Sequence, residues 1–439
     1  KNLMSNFTKI KNIDWSSYQK ELDIYIDSKI TFLQKFLKKK FFINEDREFY
    51  YKIFFLSLSR YYFNKKFPNN YREIEKKEKS FITKLLSFSD YLKIEILKNS
   101  EIKFTKNVSI NFFHRHGKFK KINSNLISEI SGKKIKKKIS IKSFLINIYL
   151  KHFSNLNKNE VLFLRRRIIL LILNYKFLKK NSPKIKNILI TTHGVMSNLD
   201  QVMLGCLSQN AKIISMVSGL PHFMYKYHDQ DDYIEKISSK ILTWGKNIKE
   251  NSKYITFGSF YSNMNKANNN KESIIILPSV PNRNSRNPVS SYANLNKTEF
   301  SKFIMNNIIN EIKKINSHDK NSLLQCKIDD YQYYKKFLQK YQIKNNLVYA
   351  NVNNEKFGST FNKTYVLYFS TAIIENFFAG SNVKICMNSA WIDLQKKYET
   401  KLNRINNKNF LKKNEKFIKD TCCIISPTEA RKKLIKILN

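Results

Sequence analysis

Along the first 180 residues, apolar positions recur at three- and four-residue spacing. The clearest runs are "YQKELDIYIDSKITFLQKFLKKKF" from Tyr18 and "DREFYYKIFFLSLSRYYF" from Asp46, and glycine is scarce between them. This period predicts a helical stretch from about residue 14 to 180. From residue 186 the pattern changes to short apolar runs separated by amphipathic ones. "KNILITTHG", "KIISMVSG", "KISSKILTWG" and "KYITFGS" read as strands, and "NLDQVMLGCLSQN" as a helix between the first two. Strands alternating with helices predict a parallel, doubly wound sheet.

A polar interval, "NMNKANNNKES" (Asn263 to Ser273), follows and reads as a linker. Beyond it the alternation resumes. "SIIILPS" is a strand, Thr298 to Lys314 a helix, Leu323 to Ile328 a strand, Asp330 to Lys340 a helix and Leu347 to Asn351 a short strand. The expected architecture is α/β, with two Rossmann-like parallel-sheet domains facing a cleft and a helical N-terminal elaboration. The expected segments are a helical region over 1–180, a first sheet domain over 181–265 and a second over 272–439, with the boundary between Gly258 and Ser273. Ligands of such sheets bind beyond the carboxyl ends of the strands.

The stretch "YVLYFSTAIIENFFAGSNVKICMN" (Tyr365 to Asn388) carries the most chemistry. Tyr365 to Phe369 reads as a strand, Ser370 as the cap of a helix, Gly380 as its stop, and Val383 to Met387 as the next strand. Free N–H groups at that helix start form an anion site, to which Ser370 and Thr371 add hydroxyls. Glu375 lies one turn on, near the face of Thr371, where it could accept hydrogen bonds from sugar hydroxyls. The plain alternative is a surface glutamate stabilised by the helix dipole.

Composition adds bounds. The chain has 439 residues and a formal net charge of +46, and lysine outnumbers arginine 69 to 11. Much of that excess, together with abundant Asn and Ile, is what AT-rich coding writes into any protein. "GKKIKKKISIKS" (Gly132 to Ser143) is locally denser and suits an anionic membrane surface or a plain solvated face better than nucleic acid, for which no reader motif appears. No apolar run is long enough to span a bilayer. Cys206, Cys326, Cys386, Cys422 and Cys423 lack metal-ligand spacing and read as reduced core residues, which points to the cytoplasm. The chain starts at Lys1 with neither methionine nor a signal-peptide pattern, as a fragment would.

Ser370, Thr371, Glu375 and Gly380 resemble the donor-binding strand-turn-helix of GT-B glycosyltransferases. The continuation "NSAWIDLQKKYETKL" resembles a bacterial family of surface-carbohydrate transferases, distantly similar to capsule glycosyltransferases and polyglycerophosphate transferases. "ISSKILTWG", "LPSVPNRNSRNPVSS" and the early "IDWSSYQKELDIYIDSKITFL" agree with it. The chain departs from that family in three places. Val217, Ser218 and Gly219 stand where the family has Gln-His-Gly, Cys326 and Lys327 where it has an arginine, and the family's first N-terminal strand is absent.

The resemblance implies a transferase moving a sugar from a nucleotide-activated donor to a surface-glycan or lipid-linked acceptor, on the cytoplasmic side and peripheral to the membrane. Donor-binding candidates are Ser279, Arg283, Arg286, Ser370, Thr371 and Glu375, the arginines for forked phosphate contacts. Candidates for the catalytic positions are His193, His222 and Ser218, with His228 as a further imidazole and Asp200, Asp229, Asp231 and Asp232 as groups that could orient one. No cofactor and no metal are expected. The second reading is a catalytically degenerate scaffold that binds anionic glycan or a membrane surface.

Overall fold

The computed structural model describes residues 14–66, 94–98, 108–109, 133–137, 156, 158–191, 198–217, 229–245, 252–259, 270–278, 297–350, 361–367, 371–378, 380–386, 422–423 and 425–438. These fall into two compact units, one drawn from residues 14–217, 229–242 and 431–438, the other from 243–430.

The first unit opens with α1 (Trp15–Phe41). Tyr18, Leu22, Ile26, Ile30, Leu33 and Leu37 form one buried stripe along it, which is why the sequence period selects a helix. Asp14 caps it by accepting from the N–H groups of Ser16 and Ser17 at 3.0 and 3.2 Å. It ends where Phe42 adopts φ 56° and donates to the Lys38 carbonyl at 3.2 Å.

Helix α2 (Arg47–Lys66) is buried almost all round, from Phe49 and Tyr50 through Leu58 to Tyr62. It packs against α1, α3 (Lys158–Asn181), α4 (Asn198–Leu207) and α5 (Asp229–Ile237), so even Lys52, Ser57, Ser59 and Arg60 on it are buried. Gly205 of α4 admits the close approach of α2, because a methyl group there would overlap the Ile53 side chain. Two carboxylates lock the helices together. Glu160 on α3, 2% exposed, accepts from Tyr25 at 2.7 Å and Lys29 at 2.9 Å. Glu45, in the α1–α2 turn, accepts from Lys179 at 2.5 Å and also from Tyr175 and Gln209.

The wholly helical expectation to residue 180 is corrected by three strands, β1 (Ile94–Lys98), β2 (Val108–Ser109) and β3 (Lys133–Lys137). β1 pairs antiparallel with β3, with Glu95 opposite Lys136, so part of the lysine cluster is a strand. β2 pairs in parallel with β4 (Asn187–Thr191). Two residues are too few to leave a period in the sequence, so this strand was not anticipated. β5 (Lys212–Met216) and β6 (Lys240–Thr243) continue the order β2-β4-β5-β6, with β4, β5 and β6 parallel, and β7 (Tyr254–Thr256) follows in residues that fall in the second unit. The run "KISSKILTWG" is therefore only partly strand, since its first residues close α5.

The second unit holds β8 (Asn270–Ile276), α6 (Lys297–Asn316), β9 (Leu323–Lys327), α7 (Tyr331–Lys340), β10 (Leu347–Ala350), β11 (Phe361–Val366), α8 (Thr371–Phe378) and β12 (Asn382–Ile385). All pairs in the order β10-β9-β8-β11-β12 are parallel. The chain thus steps outward from β8 to β10, then returns to add β11 and β12 on the other side. Ile275, Leu277, Leu324, Tyr365 and Leu367 share one core with Ile308, Ile312 and Ile315 of α6 and Tyr334 and Leu338 of α7. Alternation along β11 sends Thr364 to the opposite face, where it meets α8.

Two strands start earlier than their apolar runs suggested. β8 takes in Asn270 to Ser273 from the Asn-rich interval, and β11 takes in Phe361 to Thr364, with Ser273 in register with Lys363. These mostly polar segments enter a strand because each backbone finds its ladder partner in the other, a pairing no local period can announce. A last helix, α9 (Pro427–Leu438), buries Ala430 and Leu434.

Candidate functional site

The strand order of the second unit creates a switch point between β8 and β11, where successive connections leave in opposite directions. Ile276 lies beside Val366 in register, and Leu367 N–H donates to the Ile276 carbonyl at 3.3 Å. The two carboxyl ends are therefore side by side. Pro278 ends the first, its carbonyl accepting from the Tyr334 hydroxyl at 2.6 Å, and Thr371 opens α8 after the second.

Thr371 and Glu375 are one turn apart on α8, both half-buried, while Ile373, Ile374 and Asn376 are buried. The helix therefore turns its apolar side to the sheet and its Thr–Glu side away from the core. The first N–H groups of α8 have no carbonyl within the helix to bond. Gly380, at φ 93°, stops the helix with its N–H on the Phe377 carbonyl at 3.0 Å, in a backbone conformation that favours glycine. Of the donor-binding candidates, these two are brought together. Ser279, Arg283, Arg286 and Ser370 lie outside the described residues, as do His193, Ser218, His222 and His228.

The acidic trio beside those histidines opens α5. Asp231 is fully buried and Asp232 half-buried, so these two are residues of a packed helix rather than of a solvated loop. Among the described residues no group of His, Cys, Asp or Glu has the arrangement of a metal site. All five cysteines are free thiols. Burial pushes Cys326 and Cys422 up to about 12 and Cys386 to about 11, and it raises Cys206 further, so each stays protonated at neutral pH. Among the described residues no helix is long and apolar enough to cross a membrane.

The sequence pattern singled out Glu375, one turn into the helix, and passed over its neighbour. Asn376 is 3% exposed and holds α8 to β11 through Thr364. The available signal was the pair itself: adjacent residues stand about 100° apart on a helix, so Glu375 and Asn376 of "AIIENFFAG" do not share one direction.

The sequence matches no protein-family model, and no curated protein sequence matches it. Similar solved structures include a variant of S. aureus TarM in complex with fondaparinux, alpha-GlcNAc-glycerol and UDP, at 13% identity, with 61% of this chain and 59% of that one covered and a TM-score of 0.37. Methanocaldococcus jannaschii UDP-GlcNAc 2-epimerase in complex with UDP-GlcNAc and UDP is 11% identical over 75% of this chain and 98% of that one, with a TM-score of 0.39. For MurG of Acinetobacter baumannii the values are 9%, 76%, 90% and 0.35. The fold class, two Rossmann-like parallel-sheet units with added helices, rests on this chain's own strand order and register.

Proposed function

We propose that the chain is a GT-B-type transferase that moves a sugar from a nucleotide-activated donor to a surface-glycan or lipid-linked acceptor. The observation that supports it best is the switch point between β8 and β11, with Thr371 and Glu375 on the helix that begins there. In this reading the N–H groups at the start of α8, with Ser370 and Thr371, hold the donor's diphosphate. Glu375 takes hydroxyls of its ribose or sugar, and Arg283 and Arg286 neutralise phosphate.

The acceptor oxygen attacks the anomeric carbon as the bond from that carbon to the phosphate oxygen breaks. The nucleoside diphosphate leaves, and the acceptor proton passes to an imidazole, with His193 and His222 the candidates and Ser218 shortly before the second in sequence. Attachment to an anionic membrane face through the lysine-dense strand β3 belongs to the same reading.

Calorimetric titration with a panel of nucleotides and nucleotide sugars tests it. Glu375→Gln is expected to weaken binding of the best ligand by about ten- to a hundredfold, the loss of one or more charge-assisted hydrogen bonds. Melting temperature should hardly change, since a glutamate near a helix start contributes only about 0.3 to 1 kcal/mol. Unchanged affinity with a lowered melting temperature would make Glu375 a structural residue. No binding of any nucleotide by the wild type would favour the degenerate scaffold.

A further inference from the structure

Beneath α8 three buried polar side chains meet. Thr364 is fully buried, Asn376 3% and Ser381 4% exposed. Asn376 Nδ2 donates to the Ala372 carbonyl in the first turn of α8 at 2.8 Å. Its Oδ1 therefore accepts, and the Thr364 hydroxyl 3.3 Å away donates to it. Thr364 has a single proton, so the Ser381 hydroxyl at 2.7 Å must donate to Thr364. The bonds then run one way, from Ser381 through Thr364 and Asn376 to the Ala372 carbonyl. The main chain closes the loop, with Ser381 N–H on the Asn376 carbonyl at 3.0 Å.

Stability alone does not call for this arrangement. Asn is a poorer helix former than Leu, and α8 spans only Thr371–Phe378, too short to be stable without its packing. Ile373 and Ile374 supply that packing, but apolar contact is non-directional and tolerates rotation of a short helix about its axis. Hydrogen bonds are directional. A bond from the centre of β11 to a side chain of α8, continued to the helix's own first turn, sets that rotation.

We propose that the Ser381–Thr364–Asn376 relay positions the donor-binding edge of α8: it fixes the azimuth at which Thr371 and Glu375 meet a nucleoside diphosphate sugar. This rests on the donor-site reading of the second unit. Thr364, Asn376 and Ser381 are positioning residues, since they act through α8.

Three variants test the relay. Thr364→Val removes the hydroxyl at constant shape, Thr364→Ser restores it, and Ser273→Ala breaks a comparable buried hydroxyl pair, Ser273 of β8 with Ser322 just before β9 at 2.6 Å, one register step from Thr364. Two readouts are taken on each folded protein: affinity for the best-binding nucleotide sugar, and hydrogen exchange at the amides of residues 375–378. Thr364→Val is expected to weaken binding about fivefold or more and to speed exchange in α8 about tenfold. Thr364→Ser should lie within about twofold of wild type on both readouts, and Ser273→Ala should lower the melting temperature while moving neither.

Unchanged α8 exchange in Thr364→Val overturns the proposal, and so does affinity within about twofold of a wild type that binds. A wild type that binds no nucleotide defeats the donor-site reading instead. The exchange measurement then decides the relay by itself.

Discussion

The helical layer of the first unit and helix α8 of the second are held by different forces. α1 and α2 are long, with a stripe of buried side chains on the first and buried side chains nearly all round the second, and the carboxylates of Glu45 and Glu160 reach in from the turn and from α3. α8 is a short helix, with Ile373 and Ile374 buried and a chain of hydroxyl and amide bonds beneath it. Large apolar area secures where a long helix lies, because each buried methylene adds to the total. It does little to fix how a two-turn helix is rotated. The difference teaches that a short helix needs directional bonds to fix its rotation where a long one needs only area.

The largest change expected from breaking this contrast comes from Gly205→Val. It forces a side chain into Ile53 where α4 meets α2 and should cost about 3 kcal/mol, read as a drop in urea midpoint. Nucleotide affinity of the remaining folded protein should be unchanged. A loss of affinity matching that caused by Glu375→Gln would show that the helical layer and the donor site are not independent.

Next comes Glu45→Ala, which takes the acceptor from Tyr175, Lys179 and Gln209 together. About 2 kcal/mol should be lost, since the half-buried donors of Tyr175 and Gln209 lose their partner. If the loss is no larger than that of an ordinary surface substitution, the carboxylate clamp is incidental and apolar area alone holds the layer.

The smallest effect is expected at the exposed end of the same layer. Hydrogen bonds from Lys66 first and Tyr62 second hold the Glu21 carboxyl below its ordinary value of 4.5. A depressed folded value means that the contribution is complete above that ordinary value and is lost as pH falls through the lower folded one. The melting-temperature gap between wild type and Glu21→Gln should therefore be constant near neutrality and shrink below pH 4.5. A gap that widens on acidification would reverse the assignment.

Much of the fold was legible. The alternation of short apolar runs with amphipathic ones placed β4, α4, β5, α6, β9, α7 and β10 close to where they stand, because each carries its own period. The first parts of β8 and β11 were not, because residues such as Asn270 and Lys363 carry no apolar period and are strand only through their partners Phe361 and Ser273. β2 was missed for its length, and α5 because its acidic first turn resembles a loop. The helix that carries Thr371 and Glu375, the candidate donor residues, was read from a strand-turn-helix pattern with a glycine stop, a signal contained in one short window.

Local period and turn chemistry, written within a dozen residues at a time, determined the α/β class, the helical first part, the glycine that ends α8 and the face that Thr371 and Glu375 share. Tertiary structure decided the strand order that sets β11 beside β8, although the segments are some ninety residues apart in the chain. It also decided that Thr364, Asn376 and Ser381 would be bonded to one another rather than to water. A polar side chain does not reveal its partner from sequence, since that partner is chosen only when burial removes the competing solvent.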